Sequence, residues 1–270
     1  MSAAIEANAP VGIFDSGIGG LSVVDAIVRL LPNERLIYFG DTARIPYGTK
    51  PPEVIREYAT QIAQFLLDQG CKALVVACNT ATAPALPYLR ERWPDVPIVG
   101  MEPAVKPGAA ATKNGKVGVL ATAGTLKSER YATLTERYAA HVQVFQNPCL
   151  GLVELIENGQ ADAPETEAML QRIIPPMLAE GVDTLVLGCT HYPFVEDSIR
   201  RIVGEHVSII NPAPAVARQL ERMLRERNLL SPKLSGRHHF YASKPTLFME
   251  SFAREHFSES CYTVQYHSLS

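Results

Sequence analysis

Apolar residues in this chain fall in short, nearly unbroken runs separated by longer stretches of helical spacing. Residues 11–14 form one such run. It ends at Asp15-Ser16-Gly17 and predicts a buried strand feeding a glycine turn. A helix is predicted over 21–31, stopped by Pro32, then a strand over 36–39 and a polar loop over 40–50. Residues 52–69 predict a helix with Ile55, Tyr58, Ile62, Phe65 and Leu66 on one side, closed by Gly70. A strand over 73–77 delivers Cys78-Asn79-Thr80. A helix entered through the Pro84 and Pro87 region then runs to about Arg92, and a strand follows over 96–99.

The pattern restarts after residue 105. It predicts a strand over 116–120, a small-residue turn over 121–125, a helix over 127–138 and a strand over 141–145. Helices follow over 151–158 and 164–179, the second interrupted at Pro175-Pro176. A strand over 184–187 then ends at Gly188-Cys189-Thr190-His191. A helix to Val203, a strand over 207–210 and an amphipathic helix over 213–227 complete this part. The tail, about 235–270, predicts a strand (239–242), a helix (246–256) and a last strand (262–266). Strands that are apolar throughout and alternate with helices indicate an α/β fold with parallel sheets covered on both faces.

The two stretches are related. Cys78 and Cys189 lie 111 residues apart, and the same offset places Gly70 on Gly181, Leu74-Val75 on Leu185-Val186, Ile98 on Ile209 and Pro103-Ala104-Val105 on Pro214-Ala215-Val216. Near the start the offset drifts, with Val11-Gly12 falling on Val117-Gly118. Composition alone could make two parallel α/β segments look alike, but one offset aligning both strand ends and a downstream motif favours duplication. The expectation is two similar lobes facing each other across a cleft, each placing one cysteine at a strand's carboxyl end, where open α/β sheets bind ligands.

Composition then narrows the class. The chain has 270 residues, 47% hydrophobic and 20% charged, which is ordinary for a globular protein and fits one large domain or two small ones. A net charge of −3 gives no electrostatic case for nucleic acid or an anionic membrane. No apolar run is long enough for a membrane span, and the opening MSAAIEANAP does not read as a secretory signal. Five cysteines, odd and sparse, fit reduced thiols in a cytosol.

Cys71, Cys149 and Cys261 have no repeated context and read as inert. Cys78 and Cys189 each follow an apolar strand near a helix N-terminus, whose partial positive charge is expected to favour thiolate. Two such thiols could hold a metal, but the only close pair is Cys189-Thr190-His191, weak for zinc. They could form a redox pair, but there is no CxxC. Or they could move protons on opposite faces of one carbon, as a racemase requires. Asp15, Asp41 and His191 are candidate helpers, although an N-cap explains Asp15 equally well and packing is the usual role of a buried histidine. Ser16, Asn79, Thr80 and Thr190 would suit an amino acid's charged groups, or simply cap helices. Gly17-Ile18-Gly19-Gly20 supports a nucleotide site only weakly.

Four motifs in order carry a resemblance: Gly12-Ile13-Phe14-Asp15-Ser16-Gly17-Ile18-Gly19-Gly20-Leu21-Ser22, Tyr38-Phe39-Gly40-Asp41-Thr42-Ala43-Arg44-Ile45-Pro46-Tyr47-Gly48, Ala77-Cys78-Asn79-Thr80-Ala81-Thr82-Ala83 and Leu187-Gly188-Cys189-Thr190-His191-Tyr192-Pro193. Over roughly 11–257 the chain resembles the cofactor-independent glutamate racemases of the aspartate/glutamate racemase superfamily. The resemblance implies that Cys78 and Cys189 are the acid/base pair, acting on D- and L-glutamate respectively. It implies that Asp15 and His191 assist them, with Glu157 carried over on a less distinct helix. Asp15, Ser16, Tyr47, Gly48, Asn79, Thr80, Thr190 and His191 would hold the substrate. No cofactor and no metal are implied, nor a nucleic-acid or membrane partner. Family members commonly form homodimers and act in the cytoplasm, supplying D-glutamate for peptidoglycan. The family fold exchanges chains between pseudo-twofold lobes, giving 1–101 plus 212–270 as one and 102–211 as the other. Asn211 stands where the family usually has aspartate, and the loop 147–151 matches loosely. A racemase for aspartate or another small acid, a two-lobed amino-acid-binding protein and a pyridoxal-dependent racemase are the alternatives, the last without a lysine in a repeated position.

Overall fold

The computed structural model describes residues 6–234 and 236–269. The first five residues of the opening stretch, and Ser235 and Ser270 of the tail, lie outside the described residues. The chain divides into two compact units, one made of the residues up to Met101 together with those from Ala213 onward, the other of Glu102–Pro212.

The first unit is built on a six-stranded sheet. Its strands are β1 (Val11–Asp15), β2 (Leu36–Gly40), β3 (Ala73–Val76) and β4 (Ile98–Gly100), with β9 (His238–Ala242) and β10 (Tyr262–Tyr266) from the tail. The order is β10-β9-β2-β1-β3-β4 and every pairing is parallel. Every residue of β1, β2 and β3 is buried, as expected of strands covered on both faces. The helix Pro52–Asp68 starts with proline in its first turn and buries Ile55, Ala59, Ile62, Ala63 and Leu66. That stripe packs with Phe14, Phe39, Leu74 and Val76 into one core.

The second unit holds β5 (Lys116–Leu120), β6 (Gln143–Asn147), β7 (Thr184–Leu187) and β8 (Ser208–Ile210), all parallel, in the order β6-β5-β7-β8. This repeats the β2-β1-β3-β4 order, and the register repeats with it. Gly12 pairs with Leu74 as Gly118 pairs with Leu185, and Leu74 pairs with Ile98 as Leu185 pairs with Ile209.

The duplication extends to single contacts. A Cβ on Gly12 would stand 2.9 Å from Leu74 Cδ2, 3.0 Å from Cys71 Sγ and 3.1 Å from Leu66 Cβ. One on Gly118 would stand 2.8 Å from Leu185 Cδ1 and 3.2 Å from both Met177 Sδ and Val182 Cγ1. All three neighbours of Gly118 stand at the 111-residue offset from those of Gly12. The helices ahead of β3 and β7 also end alike. Gly70 and Gly181 take positive φ, and their N–H groups donate to Leu67 and Leu178 while the following N–H groups reach back to Leu66 and Met177. This pair of hydrogen bonds is the left-handed cap that glycine favours.

Four local expectations are corrected. The helix after Cys78 already begins at Asn79 and contains Pro84 and Pro87, and the helix Pro164–Ala179 runs through Pro175-Pro176 unbroken. Burial of Leu170, Ile174 and Met177 offsets the hydrogen bonds those two prolines forgo. The strand expected at 141–145 lies two residues later, where pairing with β5 sets Lys116 opposite Gln143. The chain after His191 forms a 3-10 turn, Tyr192–Val195, before the helix Glu196–Val203. A helix at Val105–Ala111 has no counterpart in the sequence reading.

Candidate active site

In the first unit β1 and β3 run side by side, so Asp15 and the Cys78 that follows β3 emerge at the same sheet end. The Cys78 thiol donates to Ser16 Oγ at 3.6 Å, and Ser16 Oγ donates to Asp15 Oδ1 at 3.3 Å. The other Asp15 oxygen accepts the Gly20 N–H at 2.7 Å, which fixes the carboxylate. Thiol, hydroxyl and carboxylate thus form one directed chain, all buried.

Cys78 is the N-cap of the helix Asn79–Arg92. Burial, and after it the Asp15 carboxylate, pushes its thiol well above the ordinary cysteine range, against the opposing pull of Ser16 and the Ala81 amide. The expected thiolate preference at this helix end is therefore corrected for Cys78. Loss of water outweighs the helix polarity. Asn79, the first helical residue, is 5% exposed, and neither its Oδ1 nor its Nδ2 has a hydrogen-bond partner among the described residues. Thr80 follows it.

Tyr47 and Gly48 lie in a 3-10 turn, Tyr47–Thr49. The Tyr47 hydroxyl donates to Asp41 Oδ2 at 2.5 Å, and burial, then that carboxylate, pushes its pKa up. The phenol is thus committed to Asp41, and the backbone is what the turn leaves for a ligand.

In the second unit β7 carries Gly188, Cys189, Thr190 and His191 off its carboxyl end, anchored by the Gly188 N–H donating to the Leu120 carbonyl at 2.6 Å. Cys189 Sγ lies 3.7 Å from His191 Nδ1, and His191 Nε2 lies 2.6 Å from Glu157 Oε1. Burial alone would lower the imidazole pKa. Cys189 and Glu157 on its two sides overcome burial and raise it well above the ordinary range. Thr190 is buried beside them.

Three further outcomes concern residues outside the matched pair. Cys71 is a packing group beneath Gly12, its thiol pushed up to about 12 by burial. Cys149 is less remote than its sequence context indicated. Its thiol is also pushed up to about 12, chiefly by burial, but Tyr192 and Cys189 are among the groups that act on it. Asn211 donates to Glu196 Oε2 at 3.4 Å. Among the described residues no cluster of three or more His, Cys, Asp or Glu could hold a metal, and no helix is long and apolar enough to cross a membrane.

Known proteins resemble this chain in sequence and in fold. The family model described as Asp/Glu/Hydantoin racemase matches residues 11–220. A glutamate racemase from Pseudomonas aeruginosa is 56% identical over 236 residues, which is 87% of this chain and 89% of its own. The Escherichia coli glutamate racemase, crystallised with L-glutamate and the activator UDP-MurNAc-Ala, superposes with a TM-score of 0.85 at 33% identity, covering 97% of this chain and 99% of its own. The Francisella tularensis glutamate racemase, crystallised with D-glutamate, gives 0.82 at 35% identity, covering 98% and 99%. With motifs, topology and relatives in agreement over nearly its whole length, the chain belongs to the Asp/Glu/Hydantoin racemase family, on its glutamate racemase branch.

Proposed function

We propose that this racemase interconverts L- and D-glutamate without a cofactor, by a two-base mechanism in which Cys78 and Cys189 serve opposite faces of the α-carbon. One observation carries the reading. Each parallel sheet ends in a buried thiol joined through one intervening group to a carboxylate, Cys78–Ser16–Asp15 in one unit and Cys189–His191–Glu157 in the other.

In the L-to-D direction Cys189, as thiolate, takes the α-proton, and Cys78, as thiol, gives its proton to the other face. The C–H bonding pair passes through the carbanion into the new C–H bond. At the end of the turn Cys189 is a thiol and Cys78 a thiolate, which is the starting state for the reverse reaction. The raised pKa of Cys78 suits the acid of this direction. His191, held on its far side by Glu157, sets its Nδ1 3.7 Å from the Cys189 sulfur that takes the proton. The carbanion is a strong base, so a site nearly free of water protects it, and both thiols are under 10% exposed. Asn79, with two unsatisfied buried polar atoms, is the clearest candidate for gripping the substrate. Ser16, Thr80, Thr190, His191 and the Tyr47-Gly48 backbone complete the set. The glutamate-bound relatives support glutamate as substrate, and D-glutamate supply for peptidoglycan in the cytoplasm is the role we assign.

The test is incubation of each glutamate enantiomer in D2O without added cofactor. The expected result is α-deuteration together with racemisation. Unchanged circular dichroism and no deuterium uptake would leave an amino-acid-binding protein, and faster turnover of aspartate would move the substrate assignment.

A further inference from the structure

A buried carboxylate outside both thiol chains has the geometry of a substrate-loop anchor. Asp41 follows β2, and its own N–H donates to the Asp15 carbonyl at 3.0 Å, which places it beside the Cys78 relay. Its side chain is fully buried and accepts three donors: the Tyr47 hydroxyl at 2.5 Å, Arg44 Nε at 2.7 Å and Ser243 Oγ at 2.9 Å. Arg44 is held in turn by Gln61 at 2.6 Å and by stacking 4.0 Å over the Tyr58 ring, which also packs against Tyr47.

The Ser243 contact reaches far along the chain. Ser243 follows β9, some 200 positions beyond Asp41. Its Oγ accepts the Ala43 N–H at 2.8 Å, and next to it Thr42 and Lys244 exchange a second pair of hydrogen bonds. Residues 41–44 are thus clamped by the tail on one side and hold Tyr47 on the other. A buried carboxylate with this many donors is rigid, and rigidity is what a substrate-positioning turn needs.

We infer that Asp41, backed by Ser243 and Arg44, is a positioning residue that presents the Tyr47-Gly48 backbone to the substrate, so that the C-terminal segment completes the binding half of the active site. This rests on the proposed glutamate racemisation. Asp41 has no role in proton transfer, so its loss falls on KM and spares kcat.

The experiment measures KM and kcat for both enantiomers in Asp41→Asn, Tyr47→Phe, the double variant, Ser243→Ala and Ser243→Thr. Asp41→Asn and Tyr47→Phe are each expected to raise KM about tenfold, the scale of one lost charge-assisted hydrogen bond, with kcat within about threefold of wild type. The double variant should be no worse than Asp41→Asn, because both remove the same link. Ser243→Ala should raise KM less, and Ser243→Thr, which keeps the hydroxyl, should restore it. Unchanged KM in folded variants, a loss confined to kcat, or additivity in the double variant would overturn the inference. If Asp41→Asn does not fold, Tyr47→Phe and the Ser243 pair decide it on the same terms. Glutamate binding by calorimetry separates the two proposals. A wild type that binds glutamate without racemising it removes the chemistry, and the positioning role is then judged on Kd across the same variants.

Discussion

The two units are near-duplicates as scaffolds and differ as chemical environments. Strand order, register, the crowded glycine on the central strand and the left-handed glycine cap are common to both. Beyond the strand ends they part. The Cys78 thiol meets a neutral hydroxyl and then a carboxylate, whereas Cys189 meets an imidazole held by a carboxylate. At the opposite end of the equivalent strands the 111-residue offset sets Lys72 against Asp183. Lys72 is buried in an ion pair with Glu34 at 2.6 Å, and both contact Ser231. Asp183 instead gathers Thr112, Thr184 and the amides of Lys113 and Asn114, which hold its carboxyl below the usual range although burial opposes them. Packing constrains the shared interior of the repeat, while the two strand ends are free to diverge.

The strongest way to break the comparison is to remove one thiol at a time. Cys78→Ala and Cys189→Ala are each expected to lower racemisation about a thousandfold or more, with circular dichroism showing the fold retained. Near-normal turnover by either variant would end the two-base assignment.

Relay substitutions sharpen it. Enantiomers have equal free energy, so any variant must lower kcat/KM equally in both directions. The asymmetry appears instead in isotope effects. His191→Asn or Glu157→Gln should cost about ten- to a hundredfold in kcat/KM. It should also raise the primary effect with α-deuterated L-glutamate, because the step at Cys189 becomes limiting. Ser16→Ala should raise the effect with α-deuterated D-glutamate. Identical isotope effects in both sets would show that the relays do not act on separate thiols.

Two stability comparisons follow. Lys72→Met strands a buried Glu34 and is expected to cost about 3–5 kcal/mol by urea unfolding. Asp183→Asn, at a partly solvated site, should cost about 1 kcal/mol. Equal losses would mean that burial at the two positions is equivalent. Gly12→Ala and Gly118→Ala should each cost about 1–3 kcal/mol through overpacking. The first should be the worse, since Leu66 Cβ cannot move aside as the flexible Met177 thioether can.

Much of this was legible because fully buried parallel strands are unmistakable apolar runs, and because the duplication supplied a register. What escaped notice did so for physical reasons. The helix Val105–Ala111 contains Pro107 and Gly108, residue types that ordinarily interrupt a helical pattern. Gly108 is there for close approach, since a Cβ would stand 2.5 Å from Val186 Cγ2. The strand β6 was misplaced because an edge strand takes its limits from its single neighbour. His191 and Glu157 are 34 positions apart with no spacing signal, so only the family resemblance pointed to Glu157. Asp41 stood out in the sequence as a candidate helper of the thiols, but nothing local reveals its partner 202 residues away. The position of Cys78 at a helix start was readable, but the burial that reverses its acid–base bias was not.

The discontinuous first unit also fixes an order of events during synthesis. Translation releases residues from the N-terminus at about 5–20 per second, and contiguous units fold as they emerge. The unit Glu102–Pro212 is one unbroken stretch and is complete before β9 exists. Until β9 arrives, β2 has an open edge, a template for unwanted pairing. Ser243 and Ser231, which close the Asp41 and Glu34 sites, come later still than that whole unit. On the positioning role proposed for Asp41, the nascent chain carries both cysteines well before its substrate turn is clamped, and catalytic competence comes late in synthesis.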